Sequence, residues 1–117
     1  MSTTGFRFVE EMPGRFVLSG EFGYATARRI LEAGNAAFPA HESVVVDLSG
    51  VTQADSAGLA VLLEWVTWAH REGREIRFQQ MPRAIRAIAR ISEVEGLLEP
   101  GEDFKRTVVI VRGQARH

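Results

Sequence analysis

The fold of this chain is decided by the stretch V-V-V-D-L-S-G-V-T-Q-A-D-S-A-G-L-A-V-L-L, residues 44–63. Its three consecutive valines predict a strand over residues 43–48 that is buried on both faces, as in a sheet covered by helices. A polar loop over residues 49–55 is expected to follow this strand. Asp55 is a residue type that caps helices, and apolar residues recur at helical spacing over residues 56–72. The stretch therefore predicts one strand–loop–helix unit.

The sequence on either side predicts further strands and helices. Alternating apolar residues indicate an N-terminal hairpin, and helical spacing recurs before and after the central unit. The other predicted elements are strands at residues 6–9, 16–18, 75–79 and 107–111, and helices at residues 24–38, 82–91 and 94–98. Helices that alternate with strands indicate an α/β fold, and the hairpin makes the sheet mixed. We therefore predict an α/β domain in which a mixed β-sheet with an N-terminal hairpin packs against three or four helices.

Length and composition limit the function classes. The chain has 117 residues, no cysteine and a formal net charge of -1. The length fits one domain over residues 1–117, with a core at about 6–98 and a C-terminal extension, carrying the last strand, at 99–117. The absence of cysteine excludes a disulfide scaffold and thiolate metal sites, and the near-neutral charge argues against nucleic-acid binding. Because no apolar run resembles a signal peptide or a membrane span, we expect a cytoplasmic chain without direct membrane insertion.

The residues needed for catalysis or metal binding do not form a recognisable constellation. The motifs of phosphate loops, dinucleotide-binding folds and zinc proteases are absent, and the three histidines lack metal-ligand spacing. His70 lies about 21 Å from Ser56 along the same predicted helix, so the two cannot form a nucleophile–base pair within the chain. We therefore predict that the chain is not an enzyme and requires no cofactor or metal.

The start of the central helix carries the most informative side chains. Asp55 and Ser56 stand at the start of the helix. The N-terminal end of a helix carries a partial positive charge, which would favour a phosphate on Ser56. Gly58, in the first turn, permits close approach of another backbone. An ordinary helix cap with a small packing residue explains the same pattern, so these residues alone leave both interpretations open.

Two motifs resemble those of a known family. They are D-L-S-G-V-T-Q-A-D-S-A-G-L at residues 47–59, which looks like the signature of STAS domains, and L-S-G-E-F-G-Y-A-T-A at residues 18–27, which resembles the family's first loop, L-x-G-E-L-D-x-x-T-A. Residues 55–65 and 77–98 resemble the STAS subunit of the Mla phospholipid ABC transporter more closely than the anti-sigma-factor antagonists. The resemblance covers about residues 6–98 and implies a single STAS-like domain.

The resemblance implies an interaction module. In the transporter branch, the hydroxyl residue at the position of Ser56 lies at the contact with the cytosolic ATPase subunit. We therefore expect a non-catalytic subunit that binds and stabilises the ATPase of a phospholipid-transport ABC complex, which serves outer-membrane lipid asymmetry, at the cytoplasmic face of the inner membrane. The predicted contact residues are Thr52, Gln53, Asp55, Ser56, Ala57 and Gly58.

The antagonist branch implies a second function. In that branch the residue at the position of Ser56 is phosphorylated by a partner kinase, and the phosphate switches binding to the anti-sigma factor. Gly23 stands where the family usually has an aspartate beside this serine. The missing acid weakens this alternative.

Other side chains extend the list of predicted contacts. A helical wheel places Trp65 and Trp68 away from the core-facing side, either as part of a partner contact or covered by another segment. The same wheel places His70 on the core-facing side. A further stripe, on one face of the next helix, is formed by Arg83, Arg86 and Arg90. It is either a solvated face or a contact for an acidic partner or anionic lipid head groups.

The β-branched segment at residues 107–111 needs a partner strand. An unpaired strand of this composition would aggregate. We expect it to join the sheet of its own chain or to pair with another chain.

Overall fold

The computed structural model describes residues 5–91 and 109–112. The predicted short helix at residues 94–98 lies outside this part. Within it the chain forms five strands, three helices and one 3-10 turn. Their bounds are β1 Phe6–Met12, β2 Arg15–Phe22, α1 Ala27–Ala37, the 3-10 turn Phe38–Ala40, β3 Ser43–Ala54, α2 Ser56–Glu72, β4 Glu75–Gln79, α3 Arg83–Ile91 and β5 Val109–Arg112.

The five strands form one mixed sheet in the order β1-β2-β3-β4-β5. The β1–β2 hairpin is antiparallel, whereas β2, β3 and β4 run parallel and are connected through α1 and α2. β5 lies antiparallel to β4. The predicted mixed α/β sheet with an N-terminal hairpin is confirmed. Of the two placements expected for the C-terminal strand, the structure has the one in its own sheet.

The helices cover one face of this sheet. Val44 and Val46 of β3 are fully buried, but Val45 between them is only half-buried. In the described part of the chain, the prediction that this strand is buried on both faces is therefore wrong. We call the second face the open face; its side chains include Arg7, Val9, Glu11, Arg15, Val17, Val45, Asp47, Arg77 and Gln79.

One arginine connects four strands across the open face. Nη2 of Arg15 donates to Oδ2 of Asp47 at 3.2 Å, and its Nη1 donates to Oε1 of Gln79 at 3.1 Å. Its Nε donates to Oε1 of Glu11 at 3.2 Å. The guanidinium plane offers several donors in fixed directions, so one side chain can satisfy an acceptor from each of three neighbouring strands.

Aromatic rings fill the space between the sheet and the helices. The ring of Trp65 is fully buried, with its centroid 4.9 Å from that of Phe38 and 6.1 Å from that of Phe8. Helix α1 approaches this ring at Gly34, where a Cβ atom would lie only 2.5 Å from Cζ2 of Trp65. Of the two alternatives expected for Trp65, the structure has the one in which another segment covers the ring, because α2 packs between α1 and α3 and buries more than one of its faces. Its predicted role in a partner contact is therefore wrong.

Trp68 and His70 also lie on α2, and their exposure can be compared with the positions that the helical wheel predicted. Trp68 is half-buried against the core, and the guanidinium of Arg74 lies 5.9 Å from its ring centroid. His70 is exposed, so its predicted core-facing position is wrong.

Strand β3 is longer than predicted, which changes the surroundings of the candidate site. It continues to Ala54, because Gly50, Val51, Gln53 and Ala54 pair with residues 19–22 of β2. The polar loop predicted over residues 49–55 is therefore wrong. The polar residues of this segment are tolerated in a strand because they lie at the end of the sheet, where side chains are exposed.

No helix in residues 5–91 or 109–112 combines the length and apolar character needed to cross a membrane.

Candidate functional site

The candidate site lies where β2 and β3 end and α2 begins. Because parallel strands place their carboxyl ends at the same edge of a sheet, the chain after Phe22 and the chain after Ala54 meet there. Thr52 and Gln53 are exposed at the end of β3, and Ser56 is the first residue of α2. The structure therefore brings together the polar residues that the sequence predicted as a contact surface.

Asp55 holds this surface in place with both carboxylate oxygens. Its Oδ1 accepts a hydrogen bond from the backbone N–H of Ala57 at 2.8 Å, which caps α2. Its Oδ2 accepts from the backbone N–H of Tyr24 at 3.1 Å. We call this pair of bonds the Asp55 clamp, because it ties the β2–α1 loop to the start of α2.

The β2–α1 loop is itself organised by a buried threonine. Thr26 is fully buried, and its Oγ1 donates to the carbonyl of Glu21 at 2.8 Å and accepts from the N–H of Gly23 at 3.1 Å. Helix α1 consequently begins at Ala27, not at residue 24 as predicted. The loop leaves Tyr24 88% exposed beside the helix start.

The sequence reasoning did not assign roles to Thr26 and Tyr24. Both lie in the motif at residues 18–27 that resembles the family's first loop, so the motif was the available signal. Their roles depend on Asp55, which is distant in sequence, and the spacing of residues within the loop does not reveal that contact.

Two glycines allow the close approach of these segments. A Cβ atom on Gly58 would lie 2.6 Å from the carbonyl oxygen of Phe22, so the first turn of α2 packs directly against the end of β2. The backbone that approaches Gly58 is that of the chain's own β2, which agrees with the interpretation of Gly58 as a small packing residue. A Cβ atom on Gly23 would lie 2.7 Å from Oδ2 of Asp55. Any larger residue at position 23 must therefore displace the clamp.

Ser56 presents an unengaged hydroxyl at the surface. The residue is exposed, and among the described residues its side chain makes no hydrogen bond. The cap on α2 comes from Asp55 instead. Ser56 is thus open to an incoming partner or a modifying enzyme.

A shallow cleft of about 410 Å³ lies beside the edge that carries Ser56. Its lining combines backbone and polar side chains from three segments, namely Glu21, Gly23, Thr52, Gln53, Ala54, Asp55 and Ala84. Arg83 lines an adjoining depression with Thr52 and Gln53. The described residues contain no cluster of three or more histidine and acidic side chains that could hold a metal ion. The arrangement offers both hydrogen-bond donors and hydrogen-bond acceptors, as a protein contact requires.

Of the remaining predicted contact residues, only Arg83 adjoins this surface. Trp65 is buried in the core, and Trp68 lies about 18 Å from Ser56 along α2. Of the arginine stripe, Arg83 is exposed, whereas Arg86 is half-buried and its Nε atom is inaccessible. The side chain of Arg90 lies outside the described residues.

Replacing Asp55 by alanine is expected to destabilise the chain by about 1 kcal/mol, because both bonds of the clamp are lost. Asp55→Asn keeps an acceptor for the cap and should retain most of that stability. Urea denaturation followed by circular dichroism measures both free energies of unfolding. Equal values for the two variants would contradict the proposed role of the cap.

Comparisons with known proteins agree with the fold. The family model described as "Mlab, STAS domain" matches residues 10–99. Among solved structures, the anti-sigma factor antagonist SpoIIAA in its unphosphorylated form is similar, with a TM-score of 0.58 and 14% sequence identity. That match covers 79% of this chain and 99% of the other, and at this identity it bears on the fold alone. No curated protein matches the chain.

Proposed function

Because this chain belongs to the MlaB-type STAS domain family, we propose that it is a non-catalytic subunit that binds and stabilises the cytosolic ATPase of a phospholipid-transport ABC complex. Such a complex would serve outer-membrane lipid asymmetry. The subunit would reside in the cytoplasm, at the face of the inner membrane, through its partner. It needs no cofactor, since its contribution is binding.

The exposed hydroxyl of Ser56, beside the Asp55 clamp, is the observation that carries this proposal. The Asp55 clamp fixes the β2–α1 loop against α2, so Tyr24, Gln53 and Ser56 are already in place before a partner binds. A surface that is already ordered loses little conformational entropy when it binds. These residues form the proposed ATPase contact, and Thr52 and Arg83 extend it.

The proposed mechanism is stabilisation by mass action. A subunit that binds only the folded ATPase adds about 2.7 kcal/mol to the ATPase's stability when its concentration is 100 times the dissociation constant. No chemical step at the STAS surface is required.

A phosphorylation switch is the second candidate function, and the exposure of Ser56 favours it. A phosphate there would lie beside the carboxylate of Asp55, and its charge would alter binding to an anti-sigma factor. Gly23 argues against this candidate. An acid at that position would need the space taken by the Asp55 carboxylate, so the antagonist pattern of two acids would require the Asp55 side chain to move.

Affinity capture separates the two candidates. We expect the tagged chain, co-expressed with an ABC ATPase and permease from neighbouring genes, to co-purify with the ATPase in a fixed ratio. We also expect the ATPase to melt at a higher temperature with the chain than without it. The proposal is wrong if no ATPase is retained. Retention of an anti-sigma kinase, with a phosphate transferred from ATP to Ser56, would support the switch instead.

A further inference from the structure

Strand β1 forms one edge of the sheet, with β2 on its inner side. The N–H of Glu21 donates to the carbonyl of Gly5 at 2.9 Å, which identifies these two residues as a hydrogen-bonded pair. Hydrogen-bonded and non-hydrogen-bonded pairs alternate along an antiparallel ladder. The backbone groups of Phe6, Phe8 and Glu10 consequently point away from β2. Within the described residues no strand pairs with this outer edge.

The outer strand also exposes apolar side chains. Val9 is 42% exposed and Met12 is 56% exposed, and within residues 5–88 the only other large apolar or aromatic side chain that is exposed is Tyr24. Val9 lies on the open face, opposite Val17 of β2. An exposed, unpaired edge with apolar side chains is a template for strand addition.

The charges of β1 select one arrangement of an added strand. Arg7 and Glu11 lie two residues to either side of Val9, and both are exposed. The contact between Glu11 and Arg15 places the Glu11 carboxylate on the open face, as alternation places Arg7 and Val9. We propose that β1 pairs antiparallel with β1 of a second copy of this chain about a two-fold axis at Val9, which joins two sheets into one.

In this register the two charged residues of the open face, Arg7 and Glu11, each face one of opposite sign. Arg7 lies across from Glu11 of the second copy, and the symmetry repeats the pair on the other side of Val9. Phe8 and Glu10 exchange backbone hydrogen bonds with Glu10 and Phe8 of the second copy, which gives about four bonds. A two-fold axis at Phe8 also satisfies the backbone, but it sets Arg7 against Val9. Charges on an edge strand ordinarily oppose pairing, whereas here they favour one self-complementary register.

This interface involves none of the residues at the start of α2, so it is independent of the proposed ATPase contact. The two partners of a non-hydrogen-bonded pair have Cα atoms about 4.5 Å apart, within the range of a disulfide. Because the native chain has no cysteine, a single introduced cysteine reports on this geometry without interference.

Disulfide trapping tests the register. Oxidation of Val9→Cys should convert the chain to a covalent dimer, whereas Arg7→Cys is the matched control, because its copies would lie about 13 Å apart. Light scattering across a concentration series should detect reversible dimers of the unmodified chain. Arg7→Glu should weaken them about tenfold, since two opposite-charge pairs become like-charge pairs, and the Arg7→Glu/Glu11→Arg double variant should restore them.

A chain that is monomeric at every concentration overturns the proposal. So does a Val9→Cys variant that crosslinks no faster than Arg7→Cys. Dimers that are unaffected by Arg7→Glu would place the interface elsewhere and would equally overturn it. Circular dichroism of each variant distinguishes loss of pairing from loss of folding.

Discussion

Replacing Ser56 by arginine is expected to abolish co-purification of the ATPase and to change the free energy of unfolding by less than about 1 kcal/mol. The side chain is exposed and makes no hydrogen bond among the described residues, so the fold loses no contact. The added cation lies at the positive end of a helix, which costs only a fraction of a kcal/mol at an exposed position. A partner packed against this hydroxyl would instead meet a long charged side chain that it cannot accommodate.

The control for this experiment is Thr67→Arg on the same helix. Thr67 is exposed and lies about 16 Å from Ser56 along the axis of α2, so it adds the same charge away from the proposed contact. Co-purification should survive this change. Retention of the ATPase by Ser56→Arg at the wild-type ratio would contradict the proposed interface, and loss with both variants would point to a non-specific charge effect.

Replacing Trp65 by alanine is expected to lower the free energy of unfolding by about 4 kcal/mol, because truncating a large buried aromatic side chain removes its transfer free energy and leaves a cavity. The indole lies at the centre of the aromatic cluster, where it contacts rings from β1 and from the 3-10 turn. Since Gly34 leaves no space between α1 and this ring, α1 would lose its packing surface. Chemical denaturation measures the change.

The matched control is Trp68→Ala. That ring is half-buried and only partly packed against the core, so its loss should cost clearly less. If the two truncations cost the same, the distinction between a core tryptophan and a peripheral one is wrong. A partner interface built on Trp65 would require Trp65→Phe to weaken binding without affecting stability, and its complete burial predicts the opposite.

Local signals predicted part of the fold with correct boundaries. Helix α2 begins and ends where expected, because Asp55 caps its first turn and Gly73, at φ +68, ends it. Strand β4 also agrees with the prediction, and helix α3 begins one residue later than predicted, at Arg83. The continuation of β3 beyond Leu48 was not predicted, since a polar segment becomes a strand only when β2 supplies its hydrogen bonds. The burial of Trp65 likewise depends on two neighbouring helices that a wheel does not contain.

The sequence predicted the part of the candidate site that lies at the start of α2, but not the part that the β2–α1 loop contributes. Asp55 and Ser56 were recognisable from capping preferences and from the family motif. The bond from the Tyr24 N–H to Asp55 spans 31 positions, so neither residue's local sequence indicates it. Thr26 was not singled out because a buried threonine that organises a turn resembles any other threonine in sequence.

The Asp55 clamp also has a consequence for how the protein matures. It joins the chain after β2 to the chain after β3, so it can close only after the parallel crossover between these strands is complete. Contacts of such sequence separation form slowly, because the entropy of loop closure opposes them. A newly made chain therefore acquires the edge around Ser56 only together with this crossover. A partner that recognises this edge selects chains that have completed the crossover, and incomplete ones are left to chaperones and proteases.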